Sequence, residues 1–394
     1  MGNGESAEFG ENPKEQKEVP DDAKISRGYF KMDDAEIDLF NEDDELDFDN
    51  GRSIIQNDIL KMPFIGIWSM RSSSGKVPPP RTGHFTAYSQ EMHMCFIGYG
   101  KIGKGEYTND VWALNVDTFK WSKLKLSGDV ISPRKGSFAT MMGQYIVVYG
   151  GVTIDGKRGD LHTIDVTTGE IIIAQTSGEK PAVRRDGCIA IYKRKLFVWG
   201  ENKYNCLSIL DFDTMKWKSS SSKIRYNKGC SYAVGHNSIF LYGGSTSTDL
   251  IIVDLKNESI VKSPTSKPRP APTIVKAGAV YANGYIFYIG GLSETRVTMM
   301  FGCSIATCKW FVFYIAPDGE TTSTSDGRIT GDGLFLLPSI YGFSAIYVEH
   351  KREIHAFLGH PLMKRPIIHT LTLDGAFCYL NMKDDMISML NFKK

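Results

Sequence analysis

Ile97-Gly98-Tyr99-Gly100 ends a short apolar run on glycine, and the chain repeats this ending five times. The counterparts are Tyr149-Gly150-Gly151, Trp199-Gly200-Glu201, Tyr242-Gly243-Gly244, Ile289-Gly290-Gly291 and Leu358-Gly359-His360. Upstream of each stands another glycine: Gly83, Gly136, Gly187, Gly229, Gly278 and Gly342, at successive spacings of 53, 51, 42, 49 and 64 residues. Two markers with one period define six units of about fifty residues. Between them, apolar runs alternate with Gly, Pro, Asn and Asp, the pattern of many short strands. Helical periodicity is nowhere sustained. The fold class is all-β.

The rest of each unit has a common order. A polar loop leads into a third strand, as in Asn109-Asp110-Val111-Trp112-Ala113-Leu114, Gly159-Asp160-Leu161-His162-Thr163-Ile164 and Thr248-Asp249-Leu250-Ile251-Ile252-Val253. A turn such as Asp117-Thr118 or Asp213-Thr214 then precedes a fourth strand carrying Trp121, Trp217 or Trp310. In these features residues from roughly 64 to 380 resemble the kelch-repeat family, and the resemblance implies a β-propeller of four-stranded blades. A single blade cannot bury both of its faces, so such repeats are stable only in a ring. Unit two departs with Ile171-Ile172-Ile173 where Trp is expected, and an insertion from about Pro317 to Leu337 precedes the last unit. Six blades fit the count, with seven as the alternative. Trp68, in Phe64-Ile65-Gly66-Ile67-Trp68, reads as a fourth strand arriving before any blade. It would close the ring on the last blade, a role that Phe377-Cys378-Tyr379-Leu380 also fits.

The net charge of +1 conceals a division. Residues 1–50 hold seventeen Asp and Glu against five Lys and Arg, whereas residues 51–394 hold 28 acids against 41 basic residues. Residues 1–53 therefore read as a disordered acidic arm and 54–394 as the propeller. Ile37, Leu39, Phe40, Leu46 and Phe48 are interleaved among the acids of Asp33 to Asp49. That alternation fits a docking segment, or an autoinhibitory one that competes for a basic face of the same chain; a solvated tail is the alternative. Met1-Gly2 with Ser6 matches the minimal myristoylation pattern, so a membrane contact would depend on acylation of Gly2. No stretch is long and apolar enough for a membrane span, and the start has no secretory signal pattern. Seven cysteines lie mostly within apolar runs, as expected of a cytoplasmic chain.

In a propeller, the loops entering each blade and those between its second and third strands share one face. That assignment collects Arg81, Lys101, Lys104, Arg134, Lys135, Lys157, Arg158, Arg184, Arg185 and Lys203. Arg225, Lys228, Lys267, Arg269 and Lys276 join them. Such a face suits a protein partner with an acidic surface, because propeller loops vary while the blades stay rigid. No small-molecule substrate is evident, and nucleic acid is disfavoured by the scarcity of aromatics among the basic loops. Gly98 to Gly105 imitates a phosphate loop, but a strand follows where a helix is needed, and Gly105 stands where a hydroxyl should meet magnesium. Eight histidines show no carboxylate at ligand spacing on a shared strand face. We therefore expect no catalytic residues, no metal and no cofactor. Some kelch propellers do catalyse, with copper or iron over the axis, so an enzyme of that type is the alternative function.

Overall fold

The computed structural model describes residues 60–373, apart from 103–104, 182–186, 201–205, 236, 245–248, 264–273, 292–296, 330–334 and 339. The expected acidic arm, Gly2 and the segment Phe377 to Leu380 lie outside the described residues. Among those described the only helices are short 3-10 turns, and six four-stranded blades account for the body. Blade 1 runs Phe85–Ser89, Met94–Gly98, Val111–Asn115 and Lys120–Lys123 from the axis outward. The inner strands of blades 2 to 6 are Phe138–Met142, Gly187–Tyr192, Ser231–Gly235, Gly278–Ala282 and Ser344–Val348.

Ring closure uses the first strand. Leu60–Ser72 pairs antiparallel with Ile367–Thr372, placing Trp68 opposite Leu371 as the fourth strand of blade 6. It also pairs in parallel with Trp310–Pro317 of blade 5, so these two blades share one continuous sheet. A Cβ on Gly66 would meet Phe313 at 2.7 Å and Leu371 at 2.8 Å, which explains a glycine in the middle of this strand.

The core is divided into six apolar clusters, one in each wedge between neighbouring blades. Each wedge receives one residue from the same register position of a fourth strand: Trp121, Ile171, Trp217, Ile260, Trp310 and Trp68. All six are buried. Where isoleucine replaces tryptophan, other rings supply the bulk. Phe85 and Tyr99 meet edge to face at 4.9 Å in the Ile171 wedge, and Trp199 and Tyr226 at 5.2 Å in the Ile260 wedge.

Two details correct the reading of the glycines. Backbone hydrogen bonds link neighbouring blades at the start of their inner strands: Gly136 N–H to the Gly83 carbonyl (2.7 Å), Lys276 N–H to Gly229 (2.9 Å) and Gly342 N–H to Lys276 (2.9 Å). The counterpart of Gly83, Gly136, Gly229 and Gly342 in blade 5 is thus Lys276, not Gly278. Lys276 holds φ of +56° where those four glycines hold +62° to +75°. Gly278 serves close packing instead, since a Cβ there would come within 2.5 Å of Phe343.

The second detail is a Ser-Gly step before each of the first three blades. Ser74-Gly75, Ser127-Gly128 and Ser177-Gly178 each lie parallel on the outermost strand of the blade that follows, covering its open edge. These glycines hold φ near +80°, and a Cβ would strike the carbonyl oxygen of Trp121, Ile171 or Trp217 at 2.4 to 2.5 Å. The insertion after Pro317 is tied to the closing strand. Asp318 accepts N–H groups of Glu320, Thr321 and Thr322, and the Thr321 hydroxyl accepts Met70 N–H at 2.9 Å.

Candidate interaction face

Two arginines of the expected basic face are turned into the protein. Arg81 is fully buried, donating to Asp110 at 2.6 and 3.2 Å and to the carbonyls of Pro79 and Tyr99. Arg134 repeats this with Asp160 at 2.7 and 2.9 Å and with the carbonyls of Ser132 and Gly150. In blade 4, Asn227 takes the same place and donates to the Gly243 carbonyl. Each anchor ties the loop entering a blade to the glycine turn after its second strand. Partial desolvation works against the Asp160 charge, but hydrogen bonds from His162 and Arg134 outweigh it and hold the carboxyl well below its usual range. His162 beside it is pushed down by burial, and its Nε2 lies 2.7 Å from the Tyr99 hydroxyl.

The anchor explains what is left at the surface. With Arg134 and Asn227 pointing inward, the following residues, Lys135 and Lys228, are presented at the start of the inner strands, where the axis opens. A cavity of about 1150 Å³ runs along that axis, walled by the innermost strand of every blade. Lys101, Lys135, Lys228 and Lys276 all line it at this end, while Gln90, Asn283 and Glu349 line it at the other. Lys135 packs its stem over Gly83 and sets its ammonium 5.6 Å from the Tyr107 ring centre. Lys276 extends toward Gly342.

Lys157 and Arg225 are exposed on the same end, and Arg158 pairs with Asp155 at 3.3 Å. Lys104, Arg184, Arg185, Lys203, Lys267 and Arg269 lie outside the described residues, as do Ile37, Leu39, Phe40, Leu46 and Phe48. Two apolar side chains belong to this end as well. Ile154, at the tip of the hairpin after the second strand of blade 2, is 92% exposed, and Val130, in the loop entering that blade, is 88% exposed.

Residues 65–244 match the family model described as the KLHDC2/KLHL20/DRC7 kelch-repeats domain. That segment is made of kelch repeats. Over 340 residues the chain is 23% identical to acyl-CoA-binding domain-containing protein 5 of Arabidopsis thaliana, covering 79% of this chain and 50% of that one. It is 26% identical over 249 residues to kelch domain-containing protein 10 of Xenopus tropicalis, covering 57% of this chain and 60% of the relative. Human host cell factor 1 matches at 27% over 153 residues, 34% of this chain and 7% of that protein. The chain thus spans about half the length of several curated relatives it matches.

The kelch wall of the axis carries His84, Cys230 and the tyrosines 88, 232, 281 and 347. Among the described residues these do not form a group of three metal-type ligands; the one such group lies elsewhere, at His93, Asp117 and His350. No described helix is long and apolar enough to cross a membrane. What the sequence left hidden here are the partners Asp110 and Asp160, although both stand just before a third strand in aligned units. The kelch anchor is testable. Arg134→Ala strands the partly exposed Asp160 and should lower unfolding free energy by about 2 kcal/mol, read from the urea midpoint. Adding Asp160→Asn should return part of that loss.

Proposed function

We propose that this kelch propeller is an interaction scaffold, not an enzyme, and that it docks a protein partner of acidic surface on the end where its inner strands begin. The observation that carries the reading is the convergence of Lys101, Lys135, Lys228 and Lys276 on the axial opening. Lys276 adds weight to it. A lysine held at φ +56°, where four other blades have glycine, bears roughly 1–2 kcal/mol of backbone cost. Strain of that kind is retained where a side chain has work to do. Val130 and Ile154 supply apolar contacts beside the charges, and exposed apolar groups next to a charged rim are what a protein interface uses.

Residues 1–53 form a separate acidic arm in this reading, with Asp33 to Asp49 as its docking segment. The closing strand runs toward the basic end, because Ser72 pairs with Ile367 there, so Leu60 lies at the opposite end. From Leu60 to Ser72 an extended chain covers about 40 Å. An arm leaving at Leu60 must retrace that path to reach the lysines, which favours docking to another molecule over self-occupancy. None of the described cysteines is in a disulfide, in keeping with a cytoplasmic site of action.

The experiment uses a labelled peptide of residues 33–49 as an acidic probe. It is titrated by fluorescence anisotropy against residues 54–394 and against the full chain, at two salt concentrations. Binding should weaken as salt rises. Lys135→Glu with Lys228→Glu should weaken it at least tenfold, about 1.4 kcal/mol. Affinities of the two chains within twofold of each other support the separate arm; much tighter binding to the shortened chain would show self-occupancy. Charge reversal without effect would remove the basic opening as the docking site.

A further inference from the structure

The end of the propeller opposite the lysines brings together three side chains that the sequence keeps far apart. His93 stands in the turn between the first two strands of blade 1, and Asp117 in the turn between its last two. His350 belongs to the 3-10 turn Glu349–Lys351 of blade 6. Across the closing seam, Asp117 meets His350 Nε2 through Oδ1 at 2.7 Å and His93 Nδ1 through Oδ2 at 2.8 Å. The two rings stack with centres 4.1 Å apart and planes 13° from parallel. All three ligand atoms lie within 4.8 Å of one another.

We propose that His93, Asp117 and His350 form a divalent-metal site, of the zinc, cobalt and nickel class, that staples the first blade to the last. Two imidazole nitrogens and one carboxylate oxygen are a borderline donor set that suits these ions and disfavours magnesium or calcium, which take oxygen ligands. The donors are half-exposed, so water can complete the coordination shell. The hydrogen-bonded atoms, 2.7 and 2.8 Å apart, must open by roughly 0.6 Å to place tetrahedral ligands at about 2.0–2.2 Å from an ion. All three residues sit in turns rather than strands, where such a shift is cheap.

Lys351 is the competing cation. Its Nζ lies 3.4 Å from Asp117 Oδ1, but it is also held by the carbonyl of Val116 at 3.1 Å and that of Asp117 at 3.4 Å, and lies 5.1 Å from the Phe119 ring centre. An ion can displace it from Oδ1 while those contacts persist. An aspartate is ionised at neutral pH without any special environment, so the Asp117 carboxylate is available as a ligand. Besides the apolar wedge around Trp121 and Phe357, the seam holds modest polar contacts, His84 Nε2 and Thr86 Oγ1 to Ser344 Oγ and Gln90 to Glu349. Asp117 and His350 are 233 residues apart in sequence, so an ion between them closes a very long loop.

The test is a titration of the chelator-stripped full chain with Co²⁺ and with Zn²⁺, alongside His93→Gln and His350→Gln variants. The parent chain should bind one equivalent, show cobalt ligand-field absorption that zinc abolishes, and melt at a higher temperature with either ion. At a free ion concentration of 100 times Kd, its folded-to-unfolded ratio should rise about 100-fold. Both variants should keep the parent's melting temperature in chelator yet lose the bound equivalent, the spectrum and the ion-induced shift. If a variant melts early in chelator, Asp117→Asn offers a second removal of one ligand with the same expected losses. Failure of the parent to bind at millimolar ion overturns the proposal. So does unchanged binding in the variants, which would place the ion elsewhere.

Discussion

A chain that begins at Ser73 is expected to lose its cooperative fold, whereas one that begins at Ile54 is expected to keep it. The strand Leu60–Ser72 is the fourth strand of blade 6 and lies alongside the fourth strand of blade 5. Removing it takes Trp68, which is 1% exposed, out of a wedge that also contains Phe287, Phe313, Ile354 and Leu371. The loss of that one side chain amounts to about 3–5 kcal/mol by analogy with large-to-small core substitutions, and the lost ladder adds to it. That sum consumes much of the 5–15 kcal/mol by which folded proteins are stable. Two strand edges would also be left unpaired, a route to self-association. Size-exclusion chromatography and a urea melt distinguish the outcomes. The Ser73 chain should elute as aggregate or melt without a sharp transition, and a peptide of residues 60–72 added in trans should restore part of the monomer. A monomeric, cooperative Ser73 chain would mean that the ring closes by other means.

The kelch period was legible because its markers are local. Glycine turns and fourth-strand aromatics sit at fixed offsets, so one chain carries its own internal comparison. The closing strand was half legible: Gly66-Ile67-Trp68 has the texture of a fourth strand without a blade of its own, but Phe377 to Leu380 fitted the same role. What could not be read was anything requiring two blades to be side by side. Lys276 as the counterpart of the pivot glycines follows from hydrogen bonds between blades, and its side chain gives no hint of the left-handed backbone beneath it. The meeting of His93, Asp117 and His350 depends on which blade neighbours the first, and three separate turns have no shared spacing. Arg81 and Arg134 were assigned to the surface because loops usually are, but each has an aspartate waiting at the start of a third strand. The Ser-Gly steps at 74, 127 and 177 recur in the sequence but went unread, because their reason, edge coverage at positive φ, needs the neighbouring strand in place.

Trp217→Ala is expected to lower the unfolding free energy by about 3–5 kcal/mol. Trp217 is 4% exposed between blades 2 and 3, packed with Phe138, Val147, Leu161, Ile189 and Val198, and meets Tyr149 edge to face at 5.9 Å. The wedge has little room to collapse, because each blade is held rigidly by its own hydrogen-bonded ladder and by its neighbour on the other side. A cavity left there keeps most of its volume, which is the condition under which such substitutions are most damaging. Ile172→Ala provides the control: that side chain is 51% exposed on a fourth strand, one residue past the wedge position Ile171, and should change stability by less than about 0.5 kcal/mol. The shape of the transition carries as much information as its midpoint. In an open solenoid, a defect in one interface lets the two flanks unfold separately. A closed ring has no free flank, so Trp217→Ala should shift a single transition with its slope unchanged. A loss below about 1 kcal/mol would mean that the wedge tryptophans fill space without holding the blades together. A split into two transitions would mean that the ring is not closed in solution, and the stapling of blade 1 to blade 6 would then have nothing to act on.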